Sequence, residues 1–190
     1  MEEINYYLGN NYQKELKNNY YWLIVAGVSL FMLSIFIAIY SFRSKNMHII
    51  SAFFSIAGII MLIHAFKFWY RKKLGFILHI LSAIIFLMIS ASLLINKLLF
   101  YKILLYILTL SFFTSGLFRI ILGFKEKSKI EEWFWTLVCG LVDLLLLFLI
   151  LFNIMTPIPY IYLVYTAATD IFFTGIALFA LGVGYNAVKK

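Results

Sequence analysis

Long apolar runs separated by short polar breaks constrain this chain more than any other feature. A helix needs about 20 mostly apolar residues to cross a bilayer, whereas the strands of a membrane barrel alternate over about 10 residues. The apolar runs here are continuous, so we predict an all-α integral membrane protein with six transmembrane helices. The predicted spans are 22–42, 47–69, 74–95, 99–122, 133–153 and 157–181.

The composition supports lipid as the solvent. Hydrophobic residues make up 64% of the chain and charged residues 13%, and the mean hydropathy is +0.98. Soluble domains have about 45–50% apolar and about 25% charged residues. The polar, tyrosine-rich residues 1–21 are predicted to form a cytoplasmic interfacial arm, residues 22–186 the membrane domain, and residues 187–190 a cytoplasmic tail.

Lysine and arginine residues are distributed unequally between the two sides of the predicted helices. One side has eleven and the other has four, and Arg119 inside a span completes the total of sixteen. Cytoplasmic loops carry the excess of basic residues, so we expect both termini in the cytoplasm. Basic loops beside anionic lipid account for the net charge of +8, and we expect membrane lipids and no nucleic acid as partners. The eleven are Lys14, Lys17, Lys67, Arg71, Lys72, Lys73, Lys125, Lys127, Lys129, Lys189 and Lys190, and the four are Arg43, Lys45, Lys97 and Lys102.

An internal repeat divides the chain into three parts. The first span opens with WLIVAG at 22–27, and the fifth opens with WTLVCG at 135–140. The second, fourth and sixth spans each contain a small residue followed by glycine, and another small residue follows that glycine after seven positions. We therefore predict three helical hairpins at about 22–70, 76–124 and 133–186. Positions seven apart share one helix face, so small residues there favour close helix packing, which we predict for Gly27, Gly58, Gly116, Gly123, Gly140, Gly175 and Gly182.

These features resemble a known family. Three tandem hairpins, the W-x-x-x-x-G openings and the segment Ser115-Gly116-Leu117-Phe118-Arg119 are similar to the HdeD family over about residues 20–186. The resemblance implies a bacterial inner-membrane protein linked to acid resistance. It implies no catalytic residues.

Two aspartates lie inside predicted spans, where an ionisable residue is a functional candidate. Asp143 and Asp170 are each roughly 15 Å from the cytoplasmic face at 1.5 Å per residue, in the same hairpin. Two adjacent carboxyl groups in a medium of low dielectric do not both ionise easily, so we consider them a proton-sensitive pair or a step in an ion path. In the alternative interpretation each is protonated or hydrogen-bonded to a neighbouring threonine. The threonines considered are Thr136, Thr166 and Thr169.

Arg119 lies near the predicted cytoplasmic end of the fourth span. The favoured interpretation is a membrane anchor whose side chain extends to the headgroups. The alternative is an ion pair with Asp143 or Asp170, which would have to bridge roughly 10 Å of depth. His64 and His79 also lie near that face and are candidates for pH sensing, since histidine titrates between pH 5 and 8. An ordinary interfacial role is the alternative for both.

No catalytic motif and no metal-ligand spacing is present in the sequence, and the single cysteine, Cys139, excludes an internal disulfide. We therefore expect no enzyme, no cofactor and no metal. The leading functional expectation is a non-catalytic, HdeD-like contribution to acid or envelope stress tolerance. The alternative is a small proton, ion or solute transporter or channel that uses Asp143 and Asp170. A homo-oligomer or a complex with another membrane protein is compatible with either.

Overall fold

The computed structural model describes residues 18–43, 46–67, 73–95, 98–127, 131–154 and 160–187, and in those residues the chain forms six α-helices. The predicted all-α class is confirmed, and each predicted apolar run contains one helix. The predicted arm up to residue 17, the turn at Pro157 and the tail from residue 188 lie outside the described residues. The helices are α1 (Tyr20–Arg43), α2 (Met47–Lys67), α3 (Lys73–Ile95), α4 (Leu98–Glu126), α5 (Trp133–Ile154) and α6 (Tyr160–Ala187).

Within the described residues, five of these helices are long and apolar enough to cross a membrane. The other helix, α3, contains a shorter apolar stretch, His79–Leu94. The expectation that all six helices span the bilayer therefore stays a prediction. Large apolar side chains such as Met32, Leu145 and Phe148 point outward and are at least half exposed, which is the surface that lipid requires.

The six helices form a closed ring in which each helix contacts the next and α6 contacts α1. The most extensive packing joins α1 to α6, α2 to α3, and α4 to α5, which we call the three major interfaces. Packing within α1–α2, α3–α4 and α5–α6 is less extensive. The predicted hairpins are therefore joined to one another more tightly than their own two helices are joined.

Glycines at the α1–α6 interface bring the two backbones into direct contact. A Cβ atom on Gly27 would lie 2.6 Å from the backbone nitrogen of Phe179 and 2.7 Å from the carbonyl oxygen of Gly175. A Cβ atom on Gly175 would lie 2.7 Å from the backbone nitrogen of Phe31. Since real Cβ atoms do not approach so closely, neither position has room for a side chain, and close approach is what drives helix association in lipid.

The α4–α5 interface follows the same rule. A Cβ atom on Gly140 would lie 2.8 Å from the carbonyl oxygen of Gly116, and one on Gly123 would lie 3.0 Å from the Cβ of Leu137. At the α2–α3 interface, by contrast, a Cβ atom on Gly58 would first meet the Leu87 side chain, at 2.9 Å. A side chain can adjust its rotamer more readily than a backbone can move, so this interface is the most tolerant of the three.

The contrast between interfaces generates a stability prediction. Gly27→Ala is expected to lower the free energy of unfolding by about 1–3 kcal/mol, because the added methyl group would overlap the α6 backbone. Gly58→Ala, the matched control, is expected to cost less because Leu87 can shift. Reversible unfolding of both variants in detergent micelles measures the difference, and equal losses would contradict the tighter contact assigned to α1–α6.

Candidate functional site

Arg119 of α4 makes an ion pair with Asp143 of α5. The guanidinium Nη1 lies 2.9 Å from Oδ2 and 3.0 Å from Oδ1 of the carboxyl group. The Asp143 side chain is fully buried and the Arg119 side chain is 13% exposed. Ser115, one turn before Arg119, also donates a hydrogen bond to Asp143 Oδ2 at 3.2 Å.

The other end of the guanidinium faces α6. Nη2 donates a hydrogen bond to the Thr174 hydroxyl oxygen and lies 3.8 Å from Asp170 Oδ1. The Thr174 hydroxyl lies 3.5 Å from the same carboxyl oxygen, one turn away on α6. Arg119, Asp143, Asp170, Ser115 and Thr174 form what we call the charge cluster. The cluster places one guanidinium between two carboxyl groups, on three helices.

Side-chain direction explains why the two carboxyl groups are held differently. In an α-helix the Cα–Cβ bond tilts toward the N-terminus. Arg119 is near the end of α4, so its side chain leans toward the middle of the bundle. Asp143 lies on the antiparallel helix α5 and leans back toward it. Asp170 lies on α6, which runs in the same direction as α4, so its side chain leans the same way as that of Arg119 and does not turn back toward it. The tighter pair is therefore the one with Asp143.

The favoured interpretation of Arg119 as a headgroup anchor is wrong, since its guanidinium points into the bundle. The estimated depth gap of roughly 10 Å came from the end of the apolar run, but α4 continues to Glu126. Lys127 lies over the Trp133 ring, with Nζ 5.3 Å from the centroid, so these two residues mark one level. Counted from that level, Arg119 is eight residues deep and Asp143 is ten residues deep. The difference is about 3 Å along the helix axis, which is short enough for the two side chains to meet.

The hydroxyl partners of the aspartates are not the threonines that the sequence indicated. Thr166 and Thr169 donate to backbone carbonyls of their own helix, one turn earlier. The Thr136 hydroxyl is buried and has no hydrogen-bond partner in the described residues. Sequence reasoning missed Ser115 and Thr174, which hold the position before the repeat glycine, where the first hairpin has Ala57. The sequence signal for these two residues was a hydroxyl group at a repeat position that requires only a small side chain.

The two candidate histidines are brought together by α2 and α3. The ring centroids of His64 and His79 are 4.6 Å apart and the planes are nearly perpendicular, at 87°. His64 is 3% exposed, so its side chain is buried between helices. His79 also lies within electrostatic range of Arg119. The histidine pair is therefore within electrostatic range of the charge cluster through His79.

The structure also places the single cysteine of the chain. Cys139 is fully buried in α5, within electrostatic range of Arg119. Among the described residues, no group of three His, Cys, Asp or Glu side chains is arranged to hold a metal ion. The charge cluster is thus made of one cation, two carboxyl groups and two hydroxyls.

The fold and the cluster define a class: a helical membrane protein with internal repeats and an ionisable centre inside the bundle. The chain belongs to the family described as "Short repeat of unknown function (DUF308)", which matches residues 47–95 and 84–152, together more than half of the chain. A search of curated proteins and a search of solved structures gave no match.

Each of the two family matches contains one of the major interfaces. The first match spans α2 and α3, and the second runs from within α3 through most of α5 and so includes the α4–α5 pair. The helix pairs contained in the family matches are therefore offset by one helix from the hairpins predicted from the sequence. The family matches thus contain two of the three major interfaces, α2–α3 and α4–α5, and the third, α1–α6, lies outside the matched residues.

The ion pair generates a second stability prediction. Asp143→Asn is expected to lower the free energy of unfolding by about 3–5 kcal/mol, because it leaves the Arg119 charge inside the bundle without its closest carboxylate. Asp170→Asn is expected to cost less, since that carboxyl group lies 3.8 Å from the guanidinium. Unfolding in detergent micelles measures both.

A double variant separates the ion pair from general packing. Arg119→Met combined with Asp143→Leu removes both charges and keeps apolar volume, so its stability is expected to exceed that of Asp143→Asn alone. An Asp143→Asn protein as stable as the wild type would show that the pair contributes nothing.

Proposed function

We propose that this chain is an HdeD-like bacterial inner-membrane protein that contributes to acid or envelope stress tolerance without catalysis. The observation that carries the proposal is the charge cluster, in which Arg119 lies between two intramembrane carboxyl groups. The sequence resemblance to the HdeD family supports it. Membership in the repeat family to which HdeD belongs also supports it.

Charge balance makes the cluster sensitive to protons. One guanidinium neutralises one carboxylate, so with both aspartates ionised the cluster has a net charge of −1. An uncompensated charge inside a bilayer is costly, and a bound proton removes it. Asp170, the more distant carboxyl group, is the one to which we assign that proton, since Asp143 has the closer contact with Arg119.

Further protonation would change helix packing. A proton on Asp143 cancels the charge that attracts Arg119, and the guanidinium then faces two neutral acids and the hydroxyl groups of Ser115 and Thr174. Because these side chains belong to α4, α5 and α6, their bonds link three helices. In this proposal acid loosens that junction, and the altered bundle acts on lipids, on a second copy or on another membrane protein.

A second candidate function is transport of protons or other small ions. The observation in its favour is that Asp143 and Asp170 both face the interior of the bundle and not lipid. Intramembrane carboxyl groups that face an interior frequently mark ion pathways. A flux measurement in proteoliposomes separates the two functions, because a packing role needs no net movement of ions.

The proposed orientation places both termini in the cytoplasm, on the side that has eleven of the lysine and arginine residues. Reporter domains active on only one side of the inner membrane, fused to either end of the chain, test this orientation. Activity of a periplasmic reporter at the C-terminus would contradict it.

The acid-tolerance proposal predicts a phenotype for the cluster. Asp143→Asn is expected to lower survival after an acid shift severalfold, because it removes the carboxylate whose protonation is the acid step. Asp170→Asn, which resembles the resting state with a proton on Asp170, is expected to lower survival less. A strain that lacks the gene and is complemented with each variant provides the measurement. Thr166→Val is the matched control, since Thr166 lies one turn away on α6 and bonds only its own helix.

The outcomes distinguish the two functions. Wild-type survival of both Asp170→Asn and Asp143→Asn, at equal protein levels, would rule out an acid role for the cluster. Proton flux in proteoliposomes that both substitutions abolish would favour the transporter instead.

A further inference from the structure

The polar interior of the bundle is one-sided. We call the membrane face at which α1, α3 and α5 begin and α2, α4 and α6 end the terminal face. His64 lies three residues from the end of α2 and His79 six residues from the start of α3, which correspond to depths of about 5 and 9 Å from that face. Arg119, seven residues from the end of α4, is about 10 Å deep, and Asp143 is about 15 Å deep. Each of these four groups therefore lies in the half of its own helix nearer the terminal face, and Asp170 joins them through its contact with Arg119.

Thr136 adds a second polar group on the same side. It lies seven residues before Asp143, which is two turns toward the terminal face on the same side of α5. It is 1% exposed, and its hydroxyl has no hydrogen-bond partner in the described residues. A buried hydroxyl of this kind is normally satisfied by water, so the interior beside Thr136, on the terminal side of Asp143, has a position suited to a water.

The opposite side of the cluster is apolar. The opposite face is the membrane face away from the terminal face. On every helix that has a cluster residue or a member of the His64–His79 pair, a large or branched apolar side chain lies closer to the opposite face than that residue does, and α1 has such an apolar side chain as well. The buried polar side chains of the described residues in that half are serines, and the Ser90 hydroxyl is hydrogen-bonded to the hydroxyl of buried Ser51 and to that of partly buried Ser55 across α2–α3. The apolar layer consists of Ile37, Phe54, Phe86, Phe112, Leu147 and Val164, each at most 7% exposed.

We propose that the charge cluster exchanges protons with the aqueous phase at the terminal face only, by way of the His64–His79 pair and Thr136. Protons move between histidine nitrogens, hydroxyl oxygens and carboxyl oxygens, so no bond other than O–H and N–H forms or breaks. This inference rests on the proposed function and specifies its regulation. With the termini in the cytoplasm, the cluster responds to cytoplasmic acid and not to external acid.

The charged and titratable surroundings of the cluster are defined helix by helix. His64 belongs to α2, His79 to α3, Asp143 and Cys139 to α5, and Asp170 to α6, around Arg119 of α4. Residues 22–39 of α1 include no titratable side chain. Among the described residues outside the cluster, the buried ionisable side chains are those of His64, Cys139 and Tyr185, and each lies toward the terminal face along its own helix.

Cys139 provides a native probe, because it is the single cysteine of the chain and is buried beside the cluster. The full chain is reconstituted in liposomes, and membrane-permeant N-ethylmaleimide is added while one aqueous phase is acidified with impermeant buffer. Acid slows thiol alkylation itself, since the thiolate is the nucleophile. Faster labelling in acid therefore reports that the junction has loosened and exposed Cys139.

The expected result is that labelling accelerates by roughly tenfold when acid is at the terminal face, corresponding to about 1.4 kcal/mol of loosening, and not when acid is at the opposite face. His79→Gln is expected to slow the onset of the response, whereas Ser90→Ala, in the opposite half, leaves it unchanged. If His79→Gln fails to fold, the difference between the two faces in the wild-type response tests one-sided access by itself.

The contrary outcomes separate this inference from the function on which it rests. Acceleration with acid at the opposite face, or at either face equally, would overturn one-sided access and leave the proton-responsive cluster intact. Labelling that accelerates at neither face would overturn both. Proton flux through the reconstituted protein above that of empty liposomes would overturn the closed apolar layer.

Discussion

Direct backbone contact between helices is the interaction on which the rest of this structure depends. At α4–α5 the carbonyl oxygens of Gly116 and Gly140 approach positions where a Cβ atom would otherwise stand. That contact fixes how the two helices are aligned along their length. Arg119 and Ser115 on one side and Asp143 on the other lie within one turn of the crossing, so the alignment brings them together. The glycines thus position the ion pair although none of them takes part in it.

The three major interfaces share a plan and differ in content. The α1–α6 interface has the tightest backbone contact, the α2–α3 interface has bonded serines and two histidines in edge-to-face contact, and the α4–α5 interface has the ion pair. Since helices in lipid gain little from burying apolar surface, each interface needs packing or polar bonds to hold it. Repetition supplies the packing at all three, so the polar residues at two of them are free to differ. The chemistry of the protein is therefore local, whereas its scaffold is repeated.

The sequence predicted the helices well because lipid imposes one strong rule, which is a continuous apolar run for each helix. The small-residue spacing also identified glycines that the structure places at helix contacts. The position of Arg119 was not predicted correctly, because the sequence does not specify how neighbouring helices are aligned. Depth counted along one helix says nothing about how a neighbouring helix is shifted against it, and a few residues of shift decided between an anchor and an ion pair. The prediction of the hydroxyl partners of the aspartates failed for a related reason, because the repeat pattern indicated Ser115 and Thr174 only as small residues.

Closure of the ring has a consequence for biosynthesis. The tightest interface joins the first helix to the last, so α1 must stay in the membrane without its main partner until α6 has been inserted. Arg119 also lacks its partners at first, because it enters the bilayer on α4 before Asp143 and Asp170 have been synthesised. During synthesis, exposed glycine faces and an unpaired guanidinium are therefore present together, and both are resolved only when the third hairpin arrives. Insertion of that hairpin is the step that commits this chain to its folded state.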